Sequence, residues 1–219
     1  DSSGNVYVTG TSYDSGSFDD YATIKYAPNG DSLWVRRYNG PGNGFEIVRA
    51  LAVDDSGNVY VTGSSIGSGT YDDYATIKYS SFGDTLWVRR YNGPGNSGDG
   101  ATALAVDDSG NVYVTGLSYG DGTYFDYATI KYAPNGDTVW VRRYNGPGNL
   151  SGSKFDKATA IALDSSGNVY VTGYSTFGAY YYDYTTIKYA PNGDTLWVRH
   201  YPRVGDDYAT AIALDDSGQ

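Results

Sequence analysis

One string dominates this chain. Ser-Gly-Asn-Val-Tyr-Val-Thr-Gly begins at Ser3, Ser56, Ser109 and Ser166, and a truncated fifth copy starts at Ser217. Two further blocks recur in the same phase. Tyr-Ala-Thr-Ile-Lys-Tyr occupies 21–26, 74–79 and 127–132, with Thr185 replacing Ala in the copy at 184–189. Trp-Val-Arg-Arg-Tyr starts at Trp34, Trp87 and Trp140, and the copy from Trp197 carries His200 in place of the second Arg. A period of this length means one supersecondary unit repeated and stacked, rather than one irregular globule. The repeats fall at about 1–53, 54–106, 107–163 and 164–219, and are read together as a single domain.

Each repeat predicts four strands, here lettered A to D. Strand A covers 50–54, 102–107, 159–164 and 210–215, and strand B starts at Val6 and its equivalents. Strand C is the Tyr-Ala-Thr-Ile-Lys-Tyr block and strand D surrounds each Trp. The A–B link, Asp-Ser-Gly-Asn, is short and carries Gly, which marks a hairpin. The C–D link is Pro-Asn-Gly-Asp in three copies and Ser-Phe-Gly-Asp in the second. Pro presets φ there, and Asn-Gly accepts positive φ. Of 25 acidic residues only Glu46 is Glu. Asp serves turns and Glu serves helix interiors, so almost no helix is expected. Strands C and D lack a clean polar–apolar alternation, which predicts sheets covered on both faces.

Together these features predict an all-β chain: a β-propeller of four four-stranded antiparallel blades. The chain opens in the first A–B turn and ends on a lone strand A. That phase predicts a closing strand shared between the N- and C-termini, the same strand completing a neighbouring copy, or a piece of a larger ring or longer array. The chain has neither an initial Met nor a signal-peptide pattern, as expected of a mature form or an excised piece.

Asp-Ser-Gly-Asn-Val-Tyr-Val-Thr-Gly, Tyr-Ala-Thr-Ile-Lys-Tyr and Gly-Asp-Thr-Leu-Trp-Val resemble the bacterial β-propeller repeat family known as SBBP repeats, along essentially the whole chain. The A–B hairpin, as at 105–114, is also similar to NHL-type repeats. The resemblance implies a secreted or cell-surface bacterial protein and transfers no catalytic residue.

Composition narrows the chemistry. There is no Cys, which removes disulfides, thiolate metal sites and thiol nucleophiles. A single His, His200, argues against His-based metal clusters and a Ser-His-Asp triad. The net charge of −10 disfavours nucleic acid, whose phosphates need a basic face. No apolar run is long enough to span a bilayer. The acidic turn Asp54-Asp55-Ser56-Gly57-Asn58 lacks the alternating ligands of a calcium loop, so no metal and no cofactor are expected. The Trp of each repeat is expected to pack between blades, and the Arg pairs to guard an outer edge.

Turns that barely differ among repeats serve the backbone, whereas divergent loops on a rigid scaffold carry binding. The divergent set is B–C (11–20, 64–73, 117–126, 174–183) and D–A (39–49, 92–101, 145–158, 202–208). Candidate ligand-binding residues on that face are Asp20, Tyr21, Asp73, Tyr74, Asp126, Tyr127, Asp183 and Tyr184. Tyr with Asp suits carbohydrate or protein partners. Asn149-Leu150-Ser151 is a candidate glycosylation triplet. The expected role is a non-enzymatic extracellular structural or adhesive module whose partner is a second copy of itself or another surface protein. A multivalent carbohydrate-binding propeller that holds glycans on the B–C/D–A face is the alternative.

Overall fold

A computed structural model describes residues 1–147, 155–177 and 181–215. They contain 15 strands and no helix. By contact the chain divides into two compact units, residues 1–92 with 96–101, and 93–95 with the chain from 102 onward.

The first unit holds two antiparallel sheets. One is β1 (Val6–Asp14), β2 (Phe18–Tyr26) and β3 (Ser32–Tyr38), in that order; the other is β4 (Glu46–Val53), β5 (Val59–Ile66), β6 (Asp72–Tyr79) and β7 (Thr85–Tyr91). The second unit contains the sheet of β8 (Asp99–Val106), β9 (Val112–Tyr119), β10 (Phe125–Tyr132) and β11 (Thr138–Tyr144), apart from the first residues of β8. It also holds β12 (Lys157–Leu163), β13 (Val169–Phe177), β14 (Tyr181–Tyr189) and β15 (Thr195–Tyr201). Each sheet is one meander of neighbouring strands, as the four repeats predict for propeller blades.

Two features differ from expectation. Residues 210–215, expected as a fourth strand of the first sheet, form no strand, so that sheet has three strands and β1 is an edge. A strand exists through its ladder, and the amide and carbonyl groups of these residues enter none. The B–C connections are also shorter than expected, because strands B and C run on as a long hairpin: Asp14 pairs with Phe18, and Ile66 with Asp72. Asp20, Asp73, Asp126 and Asp183, expected in loops, therefore lie inside strands. The Ser-Tyr-Asp and Ser-Ser-Ile ends of strand B keep strand geometry, which their mixed polarity concealed.

The turns follow the sequence. In the second repeat Asp54 accepts from the Asn58 backbone (2.8 Å), the Asn58 side chain (2.8 Å) and Tyr60 Oη (2.8 Å), while Gly57 takes φ +76°. The same pattern holds Asp107 and Asp164. Burial opposes ionisation of Asp54 and Asp164, but the Asn and Tyr donors outweigh it and hold both carboxyls below the usual range. These carboxylates bond their own hairpin, which is the turn role expected of them.

Apolar clusters lie between neighbouring sheets of one unit. Tyr21 and Trp34 of the first sheet meet Val59, Val61, Ala75, Ile77 and Tyr79 of the second. In the second unit Tyr127 and Trp140 meet Ala158, Val169, Val171, Ile187 and Tyr189. The Trp contact is hydrogen-bonded as well as apolar. Trp34 Nε1 donates to Ser81 O (3.1 Å), and Trp140 Nε1 donates to Pro191 O (3.1 Å). Arg36 Nε donates to Gly83 O (2.5 Å) and Arg142 Nε to Gly193 O (2.7 Å), each guanidinium lying over its own Trp. A Trp donor buried this way needs its acceptor, which the C–D turn of the next blade supplies. Arg36 and Arg142 thus join neighbouring blades instead of only guarding an edge.

Candidate functional site

The eight candidate residues take up repeat-equivalent positions. Asp20, Asp73, Asp126 and Asp183 are buried, as are Tyr21, Tyr74 and Tyr127; Tyr184 alone is exposed, at 38%. Tyr21 Oη donates to Ser64 O (3.1 Å) and Tyr127 Oη to Thr185 O (3.2 Å), so these rings close the seam between sheets. Burial raises the pKa of both phenols well above 10. A ring with no accessible face cannot stack on a sugar, so these three tyrosines do not provide the expected platform. Asn149 lies outside the described residues.

The Asp residues meet the second Arg of each pair. Arg90 donates to Asp73 Oδ2 (2.9 Å), Ser65 Oγ (2.7 Å), Ser65 O (2.6 Å) and Tyr38 Oη (3.0 Å). Arg143 reaches Asp126 Oδ2 (2.8 Å), Ser118 Oγ (2.5 Å) and Ser118 O (2.9 Å); Arg37 reaches Asp20 Oδ2 (3.1 Å) and Ser12 O (2.8 Å). Thr70 and Thr123 donate to the same Asp73 and Asp126 oxygens. Sequence reading placed these arginines on an outer edge; strand alternation turns every second one inward.

A third component was not singled out. Glu46 and Asp99 open β4 and β8, Asp156 immediately precedes β12, and all three are fully or almost fully buried. Asp156 accepts from Gly146 N (2.6 Å), Ser175 Oγ (2.7 Å) and Thr176 N (2.9 Å). Glu46 Oε1 accepts from Ser65 Oγ (3.3 Å), while its Oε2 has no partner, like Oδ1 of Asp20, Asp73 and Asp126. The signal was available: an acid recurs in phase at 46, 99, 156 and 207, and one of these is the single Glu.

Burial, partly offset by the Gly40 N–H and Ser65 hydroxyl and reinforced by the Asp20 charge, pushes Glu46 up from 4.5 to about 7. A raised folded pKa means the folded state holds the proton more tightly than the unfolded chain. The stability tied to neutral Glu46 is full below pH 4.5 and lost as pH rises through about 7. Glu46→Gln should therefore match the wild type at pH 5 and exceed it at pH 8, by on the order of 1–3 kcal/mol in urea unfolding. Equal differences at both pH values would contradict the assignment.

The last repeat departs from the pattern. His200 replaces the inward Arg; Nδ1 pairs with Thr185 Oγ1 (3.0 Å) and Nε2 with Tyr144 Oη (3.2 Å). Burial lowers its pKa against the pull of Asp183 and Asp156, favouring the neutral ring. An open groove beside it is lined by Tyr184, Thr186, Arg199, His200 and Tyr201. Among the described residues no group of three or more His, Asp or Glu side chains could hold a metal ion.

Arg143→Ala removes the cation from a carboxylate that stays buried, which costs about 2–4 kcal/mol given the partly exposed guanidinium. Arg143→Ala/Asp126→Ala should recover part of that loss in a double-mutant cycle. Additive losses would show that the pair does not act together.

Comparison with known proteins agrees with the repeat reading. The profile of the SBBP β-propeller repeat matches residues 33–69, 86–122 and 139–178, together more than half of the chain. An uncharacterized WD repeat-containing protein of Acanthamoeba polyphaga mimivirus is 24% identical over an alignment covering 90% of this chain and 14% of its own length. The chain thus spans about one seventh of that relative. An X-ray structure of a candidate gluconolactonase aligns over 96% of this chain and 85% of its own, at 12% identity and a TM-score of 0.38. With the motif in phase four times, each copy built as a blade-like meander, this chain belongs to the SBBP family of β-propeller repeats.

Proposed function

We propose that the chain is a non-enzymatic structural or adhesive module of the secreted or cell-surface space, and that it works by joining blades to blades, including those of further copies. One observation supports this most strongly. The side chains that could serve recognition or acid–base chemistry are largely consumed inside the sheets, while two blade faces are bare. Val6 and Val8 are 54% and 48% exposed, although their equivalents Val59, Val61, Val169 and Val171 are fully buried. Tyr184 and Tyr201 are exposed, although Tyr127, equivalent to Tyr184, is fully buried. Apolar faces whose repeat-equivalents are buried against a neighbouring blade support this reading. Light scattering over a concentration series tests the reading: mass should rise with concentration, and a strict monomer at high concentration would reject it.

Carbohydrate binding stands as a second reading because of one aromatic group in the second unit. Tyr119, Tyr124, Phe125, Phe155, Tyr174 and Tyr208 form a connected run of ring contacts, with Tyr124 and Tyr208 partly open to solvent. Exposed aromatic faces can stack on sugar C–H surfaces. A glycan array should light up in proportion to these rings, and Tyr124→Ala should erase the signal; silence across the array removes this reading.

A further inference from the structure

The B–C stretches diverge among the repeats, yet three of their positions keep one character throughout. The second position is always Ser (Ser12, Ser65, Ser118, Ser175) and the tenth always Asp (Asp20, Asp73, Asp126, Asp183). The eighth is always aromatic: Phe18, Tyr71, Tyr124 and Tyr181. Packing accounts for the Ser and the Asp. In the first three repeats they anchor the inward Arg, as Ser65 and Asp73 anchor Arg90. The aromatic has no such task. Phe18 is 50% exposed, Tyr71 69%, Tyr124 41% and Tyr181 45%. Tyr71 and Tyr124, in the second and third repeats, are as open as the other two.

The turn does not need a ring either. In the second and third hairpins the carbonyl of the aromatic residue closes the turn, accepting from Gly67 N (3.0 Å) and Gly120 N (2.8 Å). Gly69 and Gly122 supply the positive φ there, and any side chain could accompany that carbonyl. In the first hairpin Phe18 itself sits at φ +64°. Gly or Asn is the usual occupant of that region, and a bulky ring there is an outlier. A ring held against its backbone preference points to use of its face, not to folding.

What these rings lack is a cation. Lys78 lies 5.1 Å from the ring centre of Tyr60 and Arg89 lies 5.9 Å from that of Trp87, and both contacts recur in every repeat. Among the described residues no cation lies over any of the four tip rings. Their surroundings are anionic. The four B–C stretches hold eight Asp and no Lys or Arg. Four of the eight are the buried Asp of the tenth position. Asp14, Asp19, Asp72 and Asp121 remain wholly or partly open at the tips, with Arg37 at 3.9 Å from Asp14. Burial, and then the Asp73 charge, raise the pKa of Asp72 against the pull of Arg90. A further cation beside Tyr71 would favour the charged form of that carboxylate.

We propose that the B–C hairpin tips receive Lys or Arg side chains from a basic segment of a partner protein, each cation lying on the tip ring and answered by the neighbouring Asp. Ring and carboxylate both favour a cation, whereas a sugar would use the ring and leave the anionic excess unanswered. The net charge of −10 draws a basic partner in and repels an acidic one. This site goes beyond the structural reading above and does not depend on self-assembly.

Fluorescence anisotropy of a labelled peptide carrying four arginines spaced by serines tests this, with the chain kept below its association range. Affinity should fall with added salt. Replacing each arginine by citrulline, which keeps the planar head and loses the charge, should weaken binding at least about tenfold. Tyr71→Leu/Tyr124→Leu should weaken the arginine peptide about tenfold at an unchanged thermal midpoint, and Tyr71→Phe/Tyr124→Phe should retain it, because the ring and not the hydroxyl faces the cation. Equal affinity of the Leu pair and the wild type would reduce the binding to net charge and overturn the site. Equal affinity for the citrulline peptide would overturn the cationic ligand. An arginine peptide that does not bind at millimolar concentration would overturn both. A glycan-array signal erased by the Leu pair, with the peptide silent, would assign the rings to a sugar instead.

Discussion

Replacing Trp140 by Ala should destabilise the second unit by about 3–5 kcal/mol, whereas the same change at Trp197 should cost less than half as much. The two residues are repeat-equivalent and differ only in what covers them. Trp140 is buried, donates to Pro191 O and meets Tyr189 at 6.1 Å between ring centroids. Its removal leaves a cavity between two sheets and takes from Pro191 O one of its two donors, the other being Lys131 Nζ. Trp197 keeps its contact with Tyr170 but is only partly buried. Urea denaturation at a concentration low enough to suppress association separates the two. Equal losses would mean that the indoles stabilise their own sheets instead of the seam between sheets. Trp140→Phe should recover roughly half of the loss, since the ring returns without the donor.

Gly173→Ala should cost about 3 kcal/mol or more, while Gly10→Ala at the equivalent position should be neutral or slightly stabilising in the isolated fold. Neither glycine is required by its φ angle. At Gly173 the obstruction is the backbone of β12 at Lys157 and Ala158, which sits at a register shift between Ala158 and Ala160 and cannot move aside as a side chain could. The bulge brings that backbone close, and glycine lets it stay. Thermal unfolding of both variants at high dilution measures the contrast. A Gly173→Ala protein with the wild-type midpoint would show that the β12 bulge is not held where it is described.

Much of this architecture could be read from the repeats. The phase of Val6, Val59, Val112 and Val169 located strand B, and the Asp-Ser-Gly-Asn turns located the hairpins, because both are local signals. Trp34 and Trp140 pack between sheets, as expected of the Trp in each repeat. The candidate site was less legible. An Asp-Tyr pair at the end of a variable stretch looks like a loop, and only the pairing of Ser65 with Asp73 and Thr176 with Tyr182 shows a hairpin continuing through it. Whether Asp73 faces solvent or Arg90 depends on a partner strand that is 17 residues away in the chain. The strand-A acid was legible by phase and was missed because Glu46, Asp99 and Asp156 differ in their flanking residues. Burial of a polar group is a property of packing between blades, and the repeat motif carries no record of it.

The ion-pair seam also explains why an acidic surface coexists with ordered arginines. Arg37, Arg90 and Arg143 are each oriented by a buried carboxylate and a Ser carbonyl, so their charge is spent within the fold. In the last repeat His200 makes weaker, uncharged links to Thr185 and Tyr144. That leaves Tyr184 and Tyr201 beside an open groove, on the face proposed to receive another blade.

Cryo-electron microscopy of the wild-type chain at high concentration tests the central claim most directly, because it shows what covers the two bare faces. The account predicts particles in which sheets from at least two chains follow one another. Single chains at every concentration, with the β1 edge and the Tyr184 face both open to solvent, would contradict it.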